Sequence, residues 1–80
     1  MICIKIDTLE IANKLVKLCE LYSRHMEVDV LHDRYIVNGV SILAVASLLG
    51  NIVEVKPITD DDLLLGYFIR DAKEIGAWLD

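Results

Sequence analysis

The sequence predicts an α+β domain of order βαββαβα, a four-stranded sheet with three helices on one face. Three observations point there. Short segments alternate apolar and polar residues with the period of a half-buried strand, longer segments repeat apolar residues at helical spacing on one side only, and turn-forming residues separate the two kinds. Alternating strands and one-sided helices bury their apolar surface most economically as a helical layer on a sheet.

Met1 to Ile6 sets Ile2, Ile4 and Ile6 on one side and Cys3 and Lys5 on the other, which predicts a first strand. Thr8 is the expected cap of a helix from Leu9 to Ser23, where Ile11, Leu15, Leu18 and Tyr22 recur at helical spacing against Glu10, Asn13, Lys14, Lys17 and Glu20. Glu27 to Leu31 alternates again, and Asp33-Arg34 turns the chain into Tyr35-Ile36-Val37, forming a hairpin. Asn38-Gly39 leads into a short helix over Ser41 to Leu49, ended by Gly50-Asn51. Ile52 to Lys56 is a fourth strand expected to stop at Pro57. Thr59 is the expected cap of a last helix with Asp60, Asp61 and Asp62 near its positive end. Leu64, Leu65, Phe68, Ile69, Ala72, Ile75 and Leu79 form its wide apolar stripe.

Eighty residues, 55% of them hydrophobic, make one packed domain spanning 1–80, too small for a separate catalytic lobe. The net charge of -5 argues against nucleic acid or an anionic membrane surface as a partner, since both need a clustered cationic patch. Cys3 and Cys19 form no C-x-x-C and have no nearby histidine in sequence, so neither a redox motif nor a zinc site is signalled and both are expected to stay reduced. Nothing resembles a signal peptide or a bilayer-spanning run, and the expected location is the cytoplasm.

Ser41-Ile42-Leu43-Ala44-Val45-Ala46-Ser47-Leu48 resembles, position by position, the second helix of the HPr family, the histidine-containing phosphocarriers of the bacterial sugar phosphotransferase system. Ala12, Leu15, Val16, Lys17 and Tyr22 of the first helix stand where that family has similar residues. The resemblance implies an HPr-like open-faced β-sandwich with an antiparallel sheet, in a bacterial protein. A ferredoxin-like arrangement shares the βαββαβ order as far as Pro57, and only the second-helix resemblance separates the two. The family carries its phosphoryl group on a histidine just before the first helix, in a Gly-x-His-x-Arg-Pro-like run. Here that region reads Lys5-Ile6-Asp7-Thr8-Leu9-Glu10-Ile11, with no His, Arg or Pro, and Glu10 puts negative charge where the family has a cation.

The expected function is therefore a non-catalytic binding or regulatory module related to the phosphotransferase system, with a degenerate active site, no phosphohistidine carrier activity and no cofactor. Other enzyme activity has no support, because no nucleophile and base, paired acids or phosphate loop can be assembled. The alternatives are a phosphocarrier with a displaced acceptor and a self-associating structural subunit, for which a homodimer is the simplest form. His25 and His32, after the first helix and at the end of the second strand, read as solvated loop residues. By resemblance Ser41 matches the serine phosphorylated by HPr kinase; its simpler role is to cap the second helix.

Ile42, Leu43 and Ala46 lie where HPr proteins present an apolar patch to enzyme I and sugar-specific partners. The helical pattern assigns Ile42, Val45, Ala46 and Leu49 to the core and leaves Leu43 exposed. Leu63, Tyr67 and Trp78 align off the main stripe of the last helix, a strip that shields a seam or contacts a partner. Asp60 to Asp62 serve the helix dipole and lack the Gly-containing loop of a calcium site.

Overall fold

The computed structural model describes residues 1–80. In chain order the elements are β1 (Ile2–Lys5), α1 (Leu9–Tyr22), β2 (Glu27–His32), β3 (Tyr35–Asn38), α2 (Ile42–Ala46), β4 (Ile52–Ile58), α3 (Asp62–Glu74) and β5 (Trp78–Leu79). One antiparallel sheet runs β3-β2-β4-β1-β5, and the three helices cover one of its faces. β1-α1-β2 is a split βαβ unit in which the inserted strand is β4 and β3 lies at the sheet edge, and this order excludes the ferredoxin-like alternative, in which the third strand is inserted between the first two.

The register sorts the side chains into two faces. Val37, Val30, Val55, Ile2 and Leu79 stand side by side across all five strands on the helix-covered face. Ile36, Leu31, Glu54, Cys3 and Trp78 form the matching row on the bare face. The core lies between sheet and helices, with Ile4, Ile6, Leu15, Val30, Val45, Val53, Val55 and Phe68 almost wholly buried. Tyr22 and Phe68 close the α1/α3 seam edge to face, with ring centroids 5.3 Å apart.

Local signals place the helices. Thr8 Oγ1 accepts from the Ile11 N–H at 3.2 Å, so the expected cap of α1 is in place. The cap of α3 is Asp61 rather than Thr59: Asp61 Oδ1 accepts from the N–H groups of Leu63 and Leu64, while Thr59 Oγ1 accepts from Asp61 N–H. A carboxylate at that position meets both the bare amides and the positive helix end.

Two expectations about strands are corrected. β4 continues through Pro57 to Ile58, paired with β2 by Val28↔Pro57 and Glu27↔Ile58. Its pairing with β1 ends at Ile2↔Val55, so around Pro57 it has a neighbour on one side only, a position where the missing N–H is tolerated. The last helix stops at Glu74 instead of running to Leu79, and the sheet gains a fifth strand. Gly76, at φ 106°, takes the left-handed conformation; its N–H bonds Lys73 O and the Ala77 N–H bonds Ala72 O, the pair of contacts that closes a Schellman helix end. The chain then reverses so that Trp78 and Leu79 pair with Cys3 and Ile2. Cys3 is buried although it lies on the bare face, flanked in register by Glu54 and Trp78.

Candidate interaction site

Gly39 delivers the chain from β3 to α2 by a close approach: a Cβ there would stand 2.7 Å from Cys19 Sγ and 3.0 Å from Val28 O. Ser41 then caps α2, its Oγ accepting from Ala44 N–H at 3.3 Å while its carbonyl accepts from Val45 N–H. Of the short helix and its last turn, Val45 and Leu48 enter the core. Ile42 and Leu49, expected in the core, are exposed, Ile42 by 39%, and Ala46 is half-buried. Leu43 is 84% exposed. The face of α2 turned to solvent is thus apolar along Ile42, Leu43 and Leu49.

The exit of α2 is tied to the entrance of α1. Gly50 N–H donates to Ile6 O at 2.7 Å, and Ile6 N–H donates to Asn51 O at 2.9 Å. These two bonds set the start of α1 beside the end of α2 and bring Leu9, also exposed, to the same end of the molecule. The charges there are paired locally: Lys5 with Asp7 at 3.5 Å and Lys14 with Glu10 at 3.3 Å. Of the amides that open α1, that of Ile11 donates to the Thr8 hydroxyl and that of Ala12 to the Thr8 carbonyl, and neither an imidazole nor a guanidinium belongs to the Asp7–Ile11 segment. The arrangement offers an apolar surface with a rim of carboxylates and lysines, and no imidazole or guanidinium at the helix start.

His32 is not the solvated loop residue expected from the sequence. It ends β2 on the helix-covered face, half-buried, with Nδ1 3.3 Å from Ile52 O and Nε2 3.5 Å from Asp33 Oδ2. It borders a pocket of about 340 Å³ with Tyr35, Val37, Ser47, Leu48 and Asn51. Both ring nitrogens face oxygen, and the charged group beside Nε2 is a carboxylate, opposite in sign to what a phosphoryl group requires. His25 is exposed just beyond α1.

Tyr67 and Trp78 do not share a strip. Tyr67 is exposed on α3 with the Arg70 guanidinium 5.2 Å from its ring centre, whereas Trp78 belongs to β5 on the bare face of the sheet. No three of the His, Cys, Asp and Glu side chains come together as a metal site, and Asp61 of the acidic run is engaged in capping. No helix is long and apolar enough to cross a membrane. Sequence reasoning missed Leu9 and Leu49 as exposed apolar residues at the joined helix ends; the bonds between Ile6 and Gly50-Asn51 that unite them have no local sequence signature.

The fold is that of HPr. The crystal structure of HPr-C-His from Thermoanaerobacter tengcongensis superposes with a TM-score of 0.65 at 20% sequence identity, covering 91% of this chain and 90% of that one. No family model matches the chain, and no curated protein matches it.

Proposed function

We propose that this chain is a protein-binding or regulatory module built on the HPr fold, acting through the exposed side of α2 and the adjoining start of α1, without carrying a phosphoryl group and without enzymatic activity. The observation that carries the reading is a contrast at one end of the molecule: Leu9, Ile42, Leu43 and Leu49 are exposed there, while the helix start beside them holds Glu10 and no imidazole. Exposed apolar side chains gathered at one place mark surfaces that are covered by another protein. On this reading the partner is a phosphotransferase-system component or regulator met in the bacterial cytoplasm, and Ser41, Ile42, Leu43 and Ala46 lie in or beside the contact. Neither nucleic acid nor membrane is a partner, given the net charge of -5.

The test is a titration of isotopically labelled protein with enzyme I and with HPr kinase, following backbone amide shifts. Shifts confined to Leu9, Leu43, Ala46 and Leu49, with no acid-labile phosphohistidine formed in the presence of phosphoenolpyruvate, are the expected result. Formation of that phosphohistidine removes the non-carrier reading, and shifts centred on α3 or β5 move the contact elsewhere.

A further inference from the structure

We infer that β3 is the interface for a second copy of this chain, two β3 strands pairing antiparallel about a two-fold axis to join their sheets. β3 is an edge strand, and edges are ordinarily guarded by charge, proline, a bulge or extreme shortness. Tyr35-Ile36-Val37-Asn38 has no charge and no proline, and it pairs one-for-one with β2 along its length, without a bulge. The opposite edge, β5, is two residues long and is followed by Asp80.

The hydrogen-bond alternation shows what β3 offers. Gly39 N–H donates to Val28 O at 2.8 Å, and Val37 and Tyr35 follow at the period of two, so their N–H and C=O groups turn toward β2. The N–H and C=O of Ile36 therefore turn to the open side. Its side chain, 65% exposed, stands on the bare face.

A second copy matches this edge about an axis through Ile36. Ile36 then exchanges both backbone bonds with Ile36 of the other copy, and the two side chains meet on the bare face. Tyr35 faces Val37 of the other copy, and Arg34 comes opposite its Asn38. Asn38 is the register neighbour of Asp29, so each Arg34 lies about 10 Å, two strand spacings, from the other copy's Asp29, within reach of a long side chain. Neither Arg34 nor Asp29 makes an ion pair inside its own chain, although Lys56 stands beside Asp29 in register and shares its carboxylate's field. Two symmetric charge pairs thus flank an apolar centre, which a foreign strand has no reason to reproduce. Four residues of edge cover less than the ~800 Å² per partner of a stable interface, so the dimer is weak and its population depends on concentration.

Light scattering and backbone amide exchange on the whole chain test this. The expected mass rises from 9.0 kDa toward twice that value between ~10 µM and ~1 mM, a range suited to a small interface. Over the same range exchange slows at the Ile36 amide and stays constant at Val37, whose amide is already bonded to β2. Ile36→Lys sets two cations on the axis and holds the mass at 9.0 kDa throughout, with unchanged circular dichroism. Arg34→Asp weakens the dimer by about tenfold, and adding Asp29→Arg recovers most of the loss. A mass that never rises overturns the inference, as does a dimer indifferent to Ile36→Lys, which assigns association to a different surface. Slowed exchange at Ile36 on adding a foreign peptide, with the mass of the free chain constant, also overturns it.

Discussion

Tyr22 Oη donates a 2.6 Å hydrogen bond to Asp71 Oδ2, joining the last residue of α1 to α3 across 49 positions of sequence. Burial, then the bond to Asp71, pushes the Tyr22 hydroxyl up from 10.0 to about 12. The same bond holds the Asp71 carboxyl below its usual value, against the opposing effect of burial, with help from Arg70.

Tyr22→Phe is expected to cost about 1 kcal/mol at neutral pH, the worth of one net hydrogen bond. The pH dependence carries the sharper test. A raised tyrosine stabilises the fold fully below pH 10.0, and that contribution is lost as pH rises through about 12. A lowered carboxyl stabilises above its unfolded value and loses its contribution as pH falls through the folded one. Denaturant unfolding across pH should therefore show a smaller alkaline loss and a smaller acid loss in Tyr22→Phe than in the parent. Parallel curves at both ends contradict the assignment.

Gly39→Ala is expected to destabilise by roughly 1–3 kcal/mol, the range for overpacking, because the added Cβ meets Cys19 Sγ at 2.7 Å. Cys19 is wholly buried, and burial raises its thiol to about 12, so it stays a small apolar filler. Removing that sulfur with Cys19→Ala should recover part of the loss in the double variant; Val28 O, at 3.0 Å, limits the recovery. Strict additivity of the two changes in thermal unfolding is the outcome that refutes the steric account.

Leu43→Asp should leave the melting temperature within a few degrees of the parent while weakening partner binding at least about tenfold, since the residue is exposed in the free protein. Ile42→Asp is likewise expected to fold, because Ile42 lies outside the core; Val45→Asp, at a fully buried position, is the change that unfolds the domain. Melting curves of the three variants decide this, and collapse of Leu43→Asp returns that residue to the core.

Ser41→Ala should cost about 1 kcal/mol, the usual loss on removing a capping hydroxyl that bonds a helix amide, here Ala44 N–H. HPr kinase is expected to label Ser41 weakly or not at all. Stoichiometric phosphate on Ser41 by mass spectrometry reverses that expectation and makes the residue a regulatory site.

β2, most of β4 and the first helix were legible because each has one wet and one dry side, so hydrophobic period and three-dimensional role coincide; β1 was legible from its isoleucines, although Cys3 on its other side is buried as well. β5 was not, because Phe68, Ala72, Ile75 and Leu79 keep helical spacing past the point where the helix ends; only Gly76 marks the reversal. The orientation of α2 was half legible. Five helical residues make little more than one turn, and with Ile42, Leu43, Val45, Leu48 and Leu49 all apolar the pattern does not fix which of them face inward. The apolar end shared by α1 and α2 depends on backbone bonds between Ile6 and Gly50-Asn51, far apart in sequence.

The pairing of Cys3 with Trp78 equips the molecule with its own optical and chemical reporter. Trp78 is the single tryptophan, and it stands on the terminal strand directly beside a buried thiol. Peeling β5 from β1 removes the remaining contacts of an indole already 39% exposed and uncovers the sulfur in one motion. Fluorescence and thiol labelling should therefore report fraying of this edge together, before the core lets go.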